Sequence, residues 1–292
     1  MPLSIVTDTA SNLPASVVRE NNITVIPLTY YIDGVPHCTA DADQFNGEEF
    51  YGAIRNGALV KTSQIPPQTY IDYLTPILEA GDDILFIGLS SGVSGSFNSA
   101  RIAADHLSEK YPERKIKLID SLGASLGEGL LVLRAIECRR HRMAMDDIVE
   151  RILNLRRRMY QALTVDDLMH LKKGGRLSGA AAVVGTMLAL KPILKGNEQG
   201  KIVTTDKVRG RRRAVEALAE KYSSLVEYPK NQIIGIAHAD CPDDAEYLKS
   251  LILKKFKPKD IITVPFEPVL GSHVGPGALA LFFEGDNEVR QK

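Results

Sequence analysis

Cysteine is scarce in this chain, and long apolar runs, one-sided charge and nucleotide-gripping loops are missing altogether. Only Cys38, Cys138 and Cys241 occur in 292 residues. An odd number at wide spacing argues against a disulfide framework and against a zinc site, and it suits a reducing compartment. Lysine and arginine together number 36, as do aspartate and glutamate; the net charge of zero argues against general nucleic-acid binding. No stretch approaches the roughly 18 apolar residues of a membrane span. The opening Met1-Pro-Leu-Ser-Ile-Val-Thr-Asp8 lacks a basic segment and reads as a first strand, so no signal peptide and a cytoplasmic location are expected. Neither a G-x-x-x-x-G-K-S/T loop nor a dinucleotide fingerprint appears, which weighs against a nucleotide-dependent kinase and against a bound cofactor. Internal repeats and low-complexity segments are absent, and the length suits one large or two medium domains.

What is present begins with Asp82 to Ala100, an apolar strand running into a Ser/Gly loop that opens a helix. Ser90, Ser91, Ser94 and Ser96, with Gly92 and Gly95, sit where the free amides of a helix N-terminus would face a ligand. Phe97, Ala100, Ala104 and Leu107 recur at helical spacing behind them. Hydroxyls and amides of this kind hold a carboxylate or phosphate without a buried cation. Two further loops repeat the theme: Thr62 and Ser63 stand just before a proline-started helix (Pro67 to about Ala80), and His273, in Gly271-Ser-His-Val-Gly-Pro-Gly277, is expected before another. Serine and threonine are also the ordinary helix caps, which is the plain alternative for each loop.

In the first half, strands are expected over Leu3 to Thr7, Ile23 to Pro27, Ile84 to Leu89 and Ile116 to Ile119. Alternation with helices predicts a mostly parallel sheet with right-handed crossovers. Ligands bind beyond the carboxyl ends of such strands, where Asp8, Thr9, the Ser90 loop and Asp120-Ser121 fall. Helices over Gly127 to Arg140 and Asp146 to Arg158 lead out of a first α/β domain, residues 1–158. A second, residues 159–292, is expected to carry a strand from Tyr160 to Val165, an apolar helix around Gly179 to Leu190, and a hairpin turning through Gly196 to Gly200. A helix from Arg211 to Leu225, a strand Gln232 to Ala237, a helix Ala245 to Lys254 and a strand Ile261 to Pro265 complete a mixed sheet.

Other features admit plainer readings. Asp8 and Asp120 end strands and suit loop capping. His238, Asp240 and Cys241 lack a complementary ligand pair and suit a strand-end turn. Arg139 to Arg142 and Arg156 to Arg158 read as solvated helix faces and favourable charge at helix C-termini, with docking of an acidic partner as the alternative. Gly88-Leu-Ser-Ser-Gly92 satisfies G-x-S-x-G, and the order Ser90, Asp120 or Asp240, His273 is that of an α/β-hydrolase. A serine hydrolase is therefore the competing function, although an HGGG-type oxyanion loop is missing.

Six segments appear in a fixed order: Ile5-Val-Thr-Asp-Thr-Ala-Ser-Asn-Leu-Pro14, Thr62-Ser-Gln64, Ser90-Ser-Gly-Val-Ser-Gly-Ser-Phe-Asn-Ser-Ala100, Asp120-Ser121, Leu171-Lys-Lys-Gly-Gly-Arg-Leu-Ser178 and Gly271-Ser-His-Val-Gly-Pro-Gly-Ala278. Together, and over nearly the whole chain, they resemble the DegV family of bacterial fatty-acid-binding proteins, whose characterised members are FakB-type subunits of fatty acid kinase. Ile65 stands where that family more often has proline, and Val93, Ser96 and Phe97 where it has leucine, threonine and tyrosine. The resemblance implies one long-chain fatty acid held between two α/β domains. A separate kinase subunit would be the partner, with transient contact with a membrane surface for lipid exchange. It further implies a carboxylate site at Thr62, Ser63, Ser94, Gly95, Ser96 and His273, with Arg176 and Ser121 near the head group. No catalytic residue and no metal are expected. Ala180 to Val184, Met187 to Leu190 and Leu279 to Phe283 are expected as wall of the acyl tunnel or as plain core.

Overall fold

In the computed structural model, which describes residues 2–178 and 190–292, the four apolar runs of the first half form one parallel sheet. Its strands lie in the order Thr24–Ile26, Leu3–Asp8, Asp83–Gly88 and Ile116–Asp120. Asp83–Gly88 is buried along its whole length. A strand covered on both faces has no solvent side to alternate with, hence its unbroken apolar sequence. The three loops after Asp8, Gly88 and Asp120 leave from one edge, as the topology predicts.

The second half forms a six-stranded mixed sheet in the order Ile202–Arg209, Leu190–Gly196, Met159–Thr164, Leu279–Glu284, Ile233–His238 and Asp260–Pro265. All neighbours run antiparallel except the last pair. Two-residue periodicity splits its central strands between two cores. Leu163, Ala280 and Phe282 face the larger core shared with the first sheet, whereas Tyr160, Ala162, Leu279, Leu281 and Phe283 pack beneath the helices Arg211–Leu225 and Pro242–Leu253. Helix Leu126–Arg140 is wedged between the sheets, against Leu3–Asp8 on one side and Ile233–His238 on the other. Burial on nearly every side explains its lack of a polar stripe.

Two expectations are corrected. A small antiparallel sheet, Val35–Cys38 against Thr29–Ile32 against Val60–Ser63, is additional to the predicted elements. It puts Thr62 and Ser63 at the end of a strand; the helix Pro67–Glu79 has Pro66 as its N-cap and no side-chain cap bond. His273 does not precede a helix but lies in the last turn of one, Pro268–Val274, and the chain continues into strand Leu279–Glu284. Glu267 caps that helix by accepting from the Val269 and Leu270 amides, Pro268 starts it, and Gly275 at φ 74° ends it. The apolar helix expected around Gly179 to Leu190, with its proposed wall residues up to 189, lies outside the described residues.

Candidate functional site

A cavity opens between the two sheets. Leu28, Leu89, Leu163, Phe266, Leu270 and Phe282 are among its apolar lining. Polar side chains gather at one end, where Thr62, Ser63, Gln64, Ser94, Arg176 and His273 line the space.

Distant segments are tied together there. Thr62 Oγ1 lies 2.8 Å from His273 Nε2. Ser96 Oγ accepts the Ile65 amide at 3.1 Å and lies 3.0 Å from Ser94 Oγ, which accepts the Ser96 amide at 3.2 Å. Gly95 leaves no room for a side chain because the Gln64 amide occupies that position. The Arg176 Nε donates to the Val93 carbonyl at 3.0 Å, and its Nη1 also donates to the Gly174 carbonyl. Gly174 packs directly against the His273 ring, which fixes the imidazole from behind.

The electrostatics follow from this enclosure. Burial, and then the neighbouring guanidinium of Arg176, push the His273 imidazole down to about 4, so the ring is neutral near pH 7. A neutral imidazole and a hydroxyl each retain both donor and acceptor capacity. Arg176 supplies positive charge to the wall, so the cradle is not free of cations as its hydroxyls alone suggest. Gly95, the N-cap of the Ser96–Lys110 helix, has no side chain, and Ser94 Oγ takes the helix's first amide, so the positive end of the helix is directed toward the same region.

The sequence-identified residues divide into three groups. Thr62, Ser63, Ser94, His273 and Arg176 meet at the mouth; Gly95 and Ser96 stand behind them as supports. Ser121 is fully buried behind the wall, bonded to the backbone of Gly123, and the following residues Leu122 to Ser125 line the cavity in its place. Of the expected wall segment Leu279 to Phe283, only Ala280 and Phe282 face the cavity. Gln161, Phe266 and Leu28 line it without having been singled out; Gln161 had a signal, a lone amide inside the apolar strand Tyr160 to Val165.

The hydrolase arrangement does not assemble. Ser90 Oγ donates to the Gly200 carbonyl at 2.9 Å and accepts the Gly92 amide at 3.1 Å. Asp120 instead accepts from Ser91, and His273 is engaged with Thr62. Asp8 caps the Ala10 amide and accepts the Leu89 amide, so both strand-end aspartates are loop supports. His238 ends its strand and Cys241 precedes a helix, and among the described residues no cluster could hold a metal ion. Several arginines of the basic clusters tie neighbouring segments together. Arg139 and Arg140 bond Asn21 and Arg156 bonds the Asp120 carbonyl, each at a helix C-terminus, while Arg211 pairs with Asp244 at a helix start.

The fold and cavity define a class: a two-domain α/β protein, one sheet parallel and one mixed, with an apolar cavity closed at one end by hydroxyls and an imidazole. The DegV family model, described as uncharacterised, matches residues 2–286, and the chain belongs to that family. A DegV domain-containing protein of Clostridium perfringens is 36% identical over 284 residues, covering 97% of this chain and 98% of the other. Among solved structures, a DegV family protein from Thermus thermophilus described for its fatty acid binding superposes with a TM-score of 0.89 at 28% identity, covering 98% and 100% of the two chains. A fatty acid binding DegV family protein from Streptococcus agalactiae gives 0.85 at 31%, covering 98% and 99%. Among the described residues, no helix is long and apolar enough to cross a membrane.

Proposed function

We propose that this protein binds one long-chain fatty acid and presents its carboxylate to a separate kinase subunit, which forms the acyl phosphate used in phospholipid synthesis. The observation that carries the reading is the make-up of the cavity, a largely apolar lining to which Thr62, Ser94 and His273 bring hydroxyls and an imidazole. Thr62 and Ser94 would donate to the carboxylate, with Ser63, Gly95 and Ser96 as neighbours. Arg176 would favour incoming phosphate charge. The division between head-group and acyl-covering domains is taken at Met159, where the mixed sheet begins.

Energetics support a carrier. At about 0.8 kcal/mol per buried methylene, a tail of roughly 16 carbons represents on the order of 12 kcal/mol of transfer free energy before ordering costs. Most of the affinity therefore resides in the tail, and the head group can remain reachable. A cytoplasmic carrier of this kind would exchange lipid at a membrane surface and carry out no chemistry alone.

Solvent extraction and mass spectrometry of protein expressed in bacteria should give about one fatty acid per chain, as this tail affinity implies. With ATP, magnesium and fatty acid the chain alone should form no acyl phosphate, and a cognate kinase subunit should restore it. A lipid-free preparation that also rejects added fatty acid would remove the reading. Acyl phosphate from the lone protein would make it an enzyme instead.

A further inference from the structure

A buried amide lines the cavity away from the residues of its mouth. From the mouth at His273 the chain returns as strand Leu279–Glu284, whose Ala280 and then Phe282 line the space. Ala280 pairs with Leu163, and Phe282 with Gln161. Gln161 therefore lies two residues, about 6.6 Å, further along the strand from the mouth than Leu163. It is 8% exposed and lines the cavity.

Its amide is held from several sides. Oε1 accepts the Ala124 amide at 3.2 Å and Nε2 donates to the Leu122 carbonyl at 3.1 Å. Three glycines make room for it: a methyl group on Gly123, Gly127 or Gly196 would come within 3.2, 2.6 or 3.3 Å of the amide. Arg290, 3% exposed, stands behind Gly196 and donates to the carbonyls of Leu122 at 2.5 Å, Asn197 at 2.8 Å and Arg156 at 3.0 Å. Leu122 and Ser125 both adopt φ 53°, a costly conformation for residues with side chains, and these bonds hold the loop there.

Resting on the fatty-acid reading above, we infer that Gln161, backed by Arg290, is the length-setting stop of the acyl cavity. A chain long enough to reach past it must displace the amide that holds the Ala124 N–H, the Leu122 carbonyl keeping its bond from Arg290. That leaves the Ala124 N–H and the displaced amide without partners, an outcome one more methylene cannot offset. An amide carries two N–H groups and two carbonyl lone pairs, and the 121–125 loop uses one of each. The stop thus offers a donor and an acceptor to the far end of the ligand, so a terminal hydroxyl is tolerated where a purely apolar end wall would reject it.

The test is a binding series of saturated fatty acids from about 12 to about 22 carbons, with the matching ω-hydroxy acids, on wild type, Gln161→Ala and Gln161→Met. Wild-type affinity should climb about fourfold per methylene up to a limiting length and then fall. In Gln161→Ala the limit should move out by about two carbons while shorter acids stay within about threefold. At the limiting length wild type should hold the ω-hydroxy acid within about threefold of the plain acid, and Gln161→Met should disfavour it by roughly tenfold or more. Superimposable length profiles in wild type and Gln161→Ala would overturn the stop. So would a wild-type protein that rejects the ω-hydroxy acid more than about tenfold, a comparison that needs no variant to fold. Failure of wild type to bind any acid would instead fall on the fatty-acid reading itself, and the stop with it.

Discussion

The two ends of the cavity are both polar, yet their polar groups are used differently. At the mouth, Thr62 pairs with the His273 ring and Ser94 with the Ser96 hydroxyl and amide, through hydroxyls and a neutral imidazole that can exchange partners. At the other end, Gln161 and Arg290 share the Leu122 carbonyl and Gln161 also accepts the Ala124 amide, so their bonds go to the backbone of one loop. One end keeps side-chain pairs that can exchange partners, the other keeps side chains committed to the backbone. Burial alone does not separate binding polar groups from structural ones; the nature of their existing partners does.

The bluntest way to break this comparison is to fill the space between the ends. Ala280→Trp should displace several methylenes and lower fatty-acid affinity on the order of 100-fold, with the circular dichroism spectrum retained. Unchanged affinity would mean that the tail lies elsewhere. Thr62→Ala and Ser94→Ala should each cost about 1.5 to 3 kcal/mol, tenfold or more, because each removes a hydroxyl from a charged group. If both bind and are phosphorylated like wild type, the carboxylate is not at the mouth. His273→Ala should lower turnover with the kinase subunit more than it lowers binding, since a neutral imidazole can orient the carboxylate or relay a proton. Equal losses in the two measurements would make its role one of binding alone.

A smaller effect separates mouth from interior by pH. The His273 value of about 4 lies below its ordinary 6.5, so the unfolded chain takes up the proton first. Its contribution to stability is complete above pH 6.5 and is lost as pH falls toward 4. Glu267 behaves oppositely. Burial raises it from 4.5 to about 8, although two backbone amides and its capping role pull the other way. The folded form then holds its proton longer, so stability present below pH 4.5 is lost as pH rises through 8. Asp8, raised by burial from 3.8 to about 6, adds to that loss over a lower window. Thermal melts of ligand-free protein should show the acid-side slope weakened in His273→Asn and the alkaline-side slope weakened in Glu267→Gln. Unaltered slopes in both variants would assign the pH dependence to other groups.

Much of the framework was legible because burial writes itself into sequence. Ile84 to Leu89 reads as a strand since both faces need apolar residues, and Arg211 to Leu225 as a helix since one face does. The strands at Thr29 and Val35 carried no such signal: the first is half-buried throughout and the second is mostly exposed and contains Pro36. The mouth was legible in composition, through Thr62, Ser94 and His273, but not in placement. The Glu267-Pro268 start of the helix holding His273 is a local capping signal outweighed by the glycines after it. Ser121 and Gln161 exchanged prominence for a tertiary reason. Whether a polar side chain faces a cavity depends on the strand register and on glycines at 123, 127 and 196, which no local pattern brings together.

The bond between Thr62 and His273 joins residues 211 positions apart. During synthesis the Thr62 strand and the Ser94 loop leave the ribosome long before the helix that carries the imidazole exists. Closing so large a loop is entropically unfavourable until the sheets have docked, so the mouth is among the last parts of the molecule to form. A nascent chain would thus be unable to clasp the head group of a lipid, and capture must wait for the finished polypeptide.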